Sequence, residues 1–449
     1  MRKSLTWLGI AFVALIVAPL LVLIAINLPD EDLAPEAAAY GVPRAPSVPE
    51  AENGHYALLA LNASDAADAM AYARAWVAEA RSAARENRAE SFPATRRSQR
   101  PALCDARKTQ CLAYARDNRA EAEQQLEAFK EDLARYESLL AYKRYEEVLD
   151  YRLRTDSALP PHGALGQGQR AYLLRIAVAV EAGRTEAALA ALERDLAWQR
   201  AFLSGSRLLI GKIVAADNIW RDLMFIAELL QAKPAEMLPF AARLQALLAP
   251  LDEAPKTQAA LETEFRFAKA AFEEAASGRA DSGSFPERMV IALFFKPNAT
   301  LNRALRQFAS LSGTVFEQPA HRVEAGWEAF SKAWLERPLW EYAYNPAGKV
   351  IIEAGALGWK DYPYRAHDLV AFSRLLALRV ELHAANVTAE QVPRAIEAIE
   401  ASAERLRDPY TLKPMRWDAA HRRICFEAKG ARSRTLAPGV EKGRVCLEL

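Results

Sequence analysis

From Leu5 to Ile26 the chain runs for 22 residues without a charge, its apolar character broken only by Thr6 and Gly9. As a helix that run would measure roughly 33 Å, the thickness of a bilayer core. Arg2 and Lys3 precede it and Asp30, Glu31 and Asp32 follow it. A cleavable leader would carry a shorter apolar stretch closed by a small-residue site, and the nearest such cluster, Ala37–Ala39, lies well downstream. The run therefore predicts an uncleaved transmembrane anchor over 5–28, kinked at Pro19, with a cytoplasmic tail over 1–4. Basic flanks stay on the cytoplasmic side, which puts everything after it on the outer face.

About 420 residues remain beyond the anchor, enough for real cores. Their composition, rich in Ala and Leu and poor in Gly, favours helix. Fifty-eight basic and 57 acidic residues leave a net charge of +1. That balance supplies no field for gathering nucleic acid, so none is expected as a partner. The overall pattern is that of a bacterial inner-membrane protein with its bulk in the periplasm.

Five prolines between Pro29 and Asn53 predict an extended Pro/Ala-rich linker over 29–55. An N-terminal helical region over 56–168 follows. In it Ser64 is placed to cap a helix whose face carries Met70, Ala73, Trp76, Val77 and Ala80. Leu126, Phe129, Leu133, Tyr136 and Leu140 alternate steps of three and four, predicting continuous helix over 118–153. Pro160, Pro161, Gly163, Gly166 and Gly168 mark a boundary. The central helical domain, 169–407, has its most apolar segment at Arg207–Ala232, which belongs in the middle of the bundle. In the 408–449 tail, Ile424 and Phe426 alternate with Cys425 and Glu427, and Val445 and Leu447 with Cys446 and Glu448. That period of two predicts a small β-sheet with both cysteines on one face.

The four cysteines fall into two pairs, Cys104/Cys111 and Cys425/Cys446. An even count in an oxidising compartment reads as disulfides. Six residues between Cys104 and Cys111, with no histidine nearby, do not make a metal knuckle, so no metal is expected. No cofactor motif stands out. Connectivity follows from locality: a short polar loop closes the first pair, and matching strand faces close the second.

Several short patterns resemble a group of uncharacterised bacterial membrane-anchored periplasmic proteins with no assigned activity. They are Cys104-x6-Cys111-Leu112, Tyr344-Asn345-Pro346-Ala347-Gly348-Lys349, Arg365-Ala366-His367-Asp368-Leu369 and Asp408-Pro409-Tyr410-Thr411-x-Lys413-Pro414. Leu412 stands where the last pattern usually carries glycine. The resemblance implies location and general build, and brings no catalytic residues with it.

His367 and Asp368 beside Asp361 are raw material for acid–base chemistry. Adjacent helical residues point about 100° apart, however, and acidic groups at a helix start serve the dipole. Aromatic residues concentrate between Trp327 and Tyr364, and Trp340, Tyr342, Tyr344 and Trp359 form the candidate binding surface. Arg96, Arg97, Arg100 and Arg107 give a basic loop suited to anionic headgroups or glycans. The fold class expected is mainly α: an anchor, a multi-helix α-hairpin bundle and a disulfide-bonded C-terminal sheet. The function expected is that of a non-enzymatic envelope scaffold or interaction module with a protein or glycan partner. Its rival is a cell-envelope hydrolase using carboxylates or His367 in an inter-helical cleft.

Overall fold

The computed structural model describes residues 15–63, 69–92, 103–106, 110–276, 291–430 and 443–449. In chain order the principal α-helices begin with α1 (15–26), α2 (Pro35–Tyr40), α3 (Gly54–Ala60), α4 (Ala69–Glu86), α5 (Cys111–Asp117) and α6 (Arg119–Ala128). They continue with α7 (Lys130–Leu139), α8 (His162–Glu181), α9 (Thr185–Gly205), α10 (Leu209–Ala232), α11 (Pro234–Met237) and α12 (Ala241–Leu247). The last are α13 (Gln258–Ala276), α14 (Pro297–Leu311), α15 (Val323–Trp334), α16 (Pro346–Gly358), α17 (Tyr362–Ala384) and α18 (Val392–Ser402). Ser64 and the arginines at 96, 97, 100 and 107 lie outside the described residues.

The expected central helix is α10. Ile219, Leu223, Phe225, Ile226 and Leu229 are fully buried, because α8, α9 and α17 cover it on three sides. Trp220 stacks on Phe372 of α17 with ring centroids 4.7 Å apart. One continuous apolar core holds side chains from Ala57 to Leu447. The boundary expected at 160–168 is therefore only the approach to α8. Gly166 and Gly168 lie inside that helix, and a Cβ on Gly168 would sit 2.5 Å from the Tyr136 ring. A second core gathers Phe265, Phe308, Phe316 and Phe330 around α13–α16.

Continuous helix over 118–153 is not what forms. The chain pauses at Phe129 (φ −98°, ψ 7°) between α6 and α7, and helix ends after Leu139. Beyond Arg144 the chain runs on without regular secondary structure, with Tyr145, Glu147, Val148, Leu149, Tyr151 and Leu153 buried. Burial on more than one side, with no step of three or four, makes this a threaded segment held by the elements around it.

Residues 29–53 are not a free spacer either. Asp30 accepts the backbone N–H groups of Asn298 (3.0 Å) and Ala299 (3.1 Å), offsetting the positive end of α14. Asn302 bonds to Asp32 O and to Ala34 N, and Tyr40 packs edge-on against Phe265. Local charge and capping bonds thus outweigh the proline bias toward an extended chain.

The described part of the Leu5–Ile26 run is α1, and Leu15, Leu20, Leu21 and Val22 on it are each at least half exposed. Among the described residues no helix is long and apolar enough to cross a membrane; the first part of the run, through residue 14, lies outside them.

The tail forms an antiparallel sheet in the order β1 (Arg416–Asp418), β2 (Arg423–Glu427), β3 (Arg444–Glu448). Cys425 stands opposite Cys446 and the two are bonded, as are Cys104 and Cys111. Ile424, Phe426, Val445 and Leu447 join the main core, and β2 and β3 pack on α17.

The turn ahead of the sheet is closed by Asp408 and holds Leu412 in a left-handed conformation. Asp408 Oδ1 accepts from Tyr410 N at 2.8 Å and Asp408 O accepts from Leu412 N at 2.8 Å. Leu412 is held at φ +57° with half its surface exposed. A left-handed conformation costs a side chain about 1–2 kcal/mol, partly offset by the about 0.5–1 kcal/mol of chain entropy that glycine loses on folding. Leu412→Gly is expected to stabilise the protein by about 0.5–1 kcal/mol, read as a raised urea midpoint.

Candidate functional site

A groove of about 1220 Å³ opens between α3, α4 and α7. Its floor is made of small side chains: Ala57 and Ala60 from α3, Ala69 from α4, and Ala134 from α7, with Met70 among them. Alanines suit helices and leave the floor wide, so a polypeptide backbone could approach closely. Arg74, Lys143 and Arg144 stand on the rim with Glu52 and Glu131, and Arg74 and Arg144 are tied to Glu50 (2.6 Å) and Glu52 (3.0 Å).

Arg135, one helical step from Ala134, is the chemically unusual member. Its side chain is more than nine-tenths buried, and Nη1 donates to the carbonyl of Ala63 at 2.7 Å. Nε and Nη2 are buried without a hydrogen-bond partner. These two nitrogens make up the side-on edge of the guanidinium, the geometry that grips a carboxylate or phosphate through two parallel bonds. Leaving such donors unmet costs about 1–3 kcal/mol, and more for a charged group.

The strongly perturbed titratable groups lie elsewhere. Asp195 of α9 and Asp222 of α10 are fully buried and hydrogen-bond each other. Tyr136 donates to Asp195 Oδ1 at 2.5 Å, and Gln169 Nε2 donates to Asp222 Oδ1 at 2.9 Å. Burial pushes Asp195 up to about 6 and Asp222 well above the carboxylate range. Both Oδ2 atoms have no other donor, and the Asp195 carboxylate adds to burial in disfavouring ionisation of Asp222. Arg221 links this network through Gln169 (3.0 Å) to Asp105, 3.5 Å away, in the loop that the Cys104–Cys111 bond closes.

A second buried chain runs from Ser206 to His55. Glu147 accepts from Ser206 Oγ (2.8 Å), Leu208 N (2.9 Å), Arg207 N and Tyr145 OH (3.3 Å), and Tyr145 OH lies 3.4 Å from His55 Nδ1. Burial raises Glu147 to about 7 and lowers His55 to about 3. None of these groups lines the groove. They hold helices and the threaded segment together; a perturbed carboxyl marks an active site only where substrate can reach it.

The candidates read from the sequence separate. His367 is buried, faces the Gln318 carbonyl at 3.1 Å and is lowered to about 4 by burial. Asp368 points elsewhere, accepting from Tyr410 OH (2.6 Å), Lys429 N (3.0 Å) and Gly430 N (2.8 Å). Two of the resemblance motifs therefore meet in a packing contact. Of the aromatic set, Trp340 is 74% exposed. Tyr342 bonds Glu353 at 2.5 Å, the Tyr344 ring lies 5.9 Å from Lys349 Nζ, and Trp359 packs edge-on against Phe308 at 4.6 Å. The four residues do not form one exposed surface.

Sequence reading missed Arg135, because it lies on a helix surface period that reads as solvated charge. Its only signal was its place beside the conspicuously small Ala134. Among the described residues no group of three or more His, Cys, Asp or Glu side chains is arranged to hold a metal. No protein family, curated protein or solved structure matches the chain.

Proposed function

We propose that this chain is a non-enzymatic, membrane-anchored binding module whose folded body stands on the outer face of a bacterial inner membrane. The observation that carries the reading is Arg135 at the groove, with a side-on guanidinium edge left unmet. A peptide segment from an envelope protein, laying an apolar face on the alanine floor and bringing one carboxylate toward which the buried Arg135 side chain turns, supplies what the groove lacks. Lys143, the rim cation outside the Arg74–Glu50 and Arg144–Glu52 pairs, favours an acidic segment. The location rests on the uncharged Leu5–Ile26 run, its basic leader, and the two disulfides, which persist in oxidising compartments.

A photoreactive residue at Ala134 of the full chain, activated in intact cells, tests the module. A cross-linked polypeptide is expected whose yield falls about tenfold or more in Arg135→Gln, the loss of roughly 1.4 kcal/mol of recognition. Arg135→Lys keeps the charge without the fork and should lose most of it too. Lys130→Gln, an exposed change on the same helix, should leave it intact. No adduct, or one that survives both Arg135 variants with unchanged unfolding midpoints, would overturn the reading.

A further inference from the structure

Helix α16 is built inside out. Its two charged residues, Lys349 and Glu353, sit one turn apart and turn toward the protein. Lys349 Nζ donates to the Glu341 carbonyl, and Glu353 receives Arg303 (2.7 Å) and the Tyr342 hydroxyl. The face left to solvent consists of Val350 (55% exposed), Ile351, Ala354, Gly355, Leu357 and Gly358, with no charge among them. An ordinary surface helix does the reverse.

The loop feeding this helix continues the pattern. Leu339 and Trp340 are 89% and 74% exposed, while the charges beside them, Arg337 and Glu341, are paired with each other. The loop is tied directly to the end of α1. Asn27, fully buried, donates from Nδ2 to Leu23 O (2.8 Å) and Ala343 O (2.6 Å), and its Oδ1 accepts from Asn345 N at 2.8 Å. The exposed apolar flank of α1 and the exposed apolar face of α16 therefore meet at one buried clamp.

We infer that the Leu339–Trp340 loop and the outer face of α16 form a platform that rests in the lipid headgroup–acyl boundary beside the anchor. The inference rests on the anchor reading and goes beyond it: the body lies against the bilayer and is not held away from it. Trp is suited to that boundary, having an apolar body and an N–H that seeks water or carbonyl partners. An apolar helix face that lies in the interface sinks about 5–10 Å, the depth of one layer of Val, Ile and Leu side chains. The platform commits to lipid because its edge is the emerging anchor itself, so any bilayer that holds α1 is already at that face.

The chain carries tryptophans at both places, Trp7 in the anchor run and Trp340 in the loop. The full chain would be reconstituted into phosphatidylethanolamine–phosphatidylglycerol vesicles with brominated acyl chains, which quench only indoles in contact with lipid. Comparison of the parent with Trp7→Phe and Trp340→Phe isolates each contribution. The expected result is that both changes reduce the bromolipid-dependent loss of emission, and that Trp340 is shielded from aqueous acrylamide only in vesicles. A Trp7 contribution with none from Trp340 would remove the platform and leave the anchor standing; contributions from neither would remove both. Shielding of Trp340 that rises with protein density but shows no bromolipid quenching would assign the face to a second copy and overturn the proposal. Trp340 is 74% exposed, so its replacement leaves the fold available for the measurement.

Discussion

Asp222→Asn is expected to make the protein more stable at pH 8, by about 2 kcal/mol or more, although it removes a fully buried acid. In the folded protein Asp222 keeps its proton, because burial and the Asp195 carboxylate both oppose its ionisation. In the unfolded chain it ionises above about 3.8. A group with a raised folded pKa costs nothing below the unfolded value. It destabilises progressively as pH rises from there toward the folded value, at about 1.4 kcal/mol per pH unit. Asparagine has the same outline, accepts from Gln169 with its oxygen and donates to Asp195 with its amide, without any proton to hold. Urea unfolding in detergent micelles at pH 5 and pH 8 gives the check: the variant's advantage should shrink on acidification. An advantage that is absent, or that grows toward pH 5, would mean that Asp222 is ionised in the fold. Asp222→Ala, by contrast, takes one acceptor from Gln169 Nε2, which keeps the Asn218 carbonyl, and should cost about 1–3 kcal/mol.

Why the sequence yielded some of this and not the rest follows from the range of the interactions. The α10 stripe and the alternation around Cys425 and Cys446 are local periodicities, and both elements stand where that reading put them. The threaded segment after Arg144 is fixed from afar. Glu147 is gripped by Arg207 and Leu208 some 60 positions on, and no nearby residue announces that. In α16 the amphipathic period was present, but a period does not say which face the core takes. Lys349 and Glu353 would ordinarily mark the outer face, and only Arg303 and Tyr342, brought in from other elements, reverse it. Asp195 and Asp222 read as two unremarkable helical acids until the helix pair brings them together. The aromatic cluster gave a true signal of one exposed residue, Trp340, mixed with three whose rings or hydroxyls are engaged in packing.

Asn345→Ala is expected to cost about 3 kcal/mol, the sum of two separable effects. Asn345 sits at φ +51°, a left-handed position that asparagine tolerates and alanine enters at about 1–2 kcal/mol. Its side chain also closes the helix start behind it, accepting from Lys296 N at 2.9 Å and donating to Thr300 Oγ1 at 2.9 Å. Lys296 is buried, so its orphaned N–H adds about 1–3 kcal/mol. Asn345→Gly removes the second part only and should be the milder change by about 1 kcal/mol, which separates backbone from side chain. Equal losses in the two variants would place the whole effect in the hydrogen bonds. The same residue donates its backbone N–H to Asn27 Oδ1 across 318 positions of chain, so the foot of the apolar helix and the entrance to α16 should act as one unit. Asn27→Ala and Asn345→Ala combined should therefore cost at least about 0.5 kcal/mol less than the sum of the two alone, because each loosens the Asn345 backbone that the other substitution also relies on. Strict additivity would mean that α1 is joined to the body without being held by it, and that the exposed face of α16 is free to tilt away from α1.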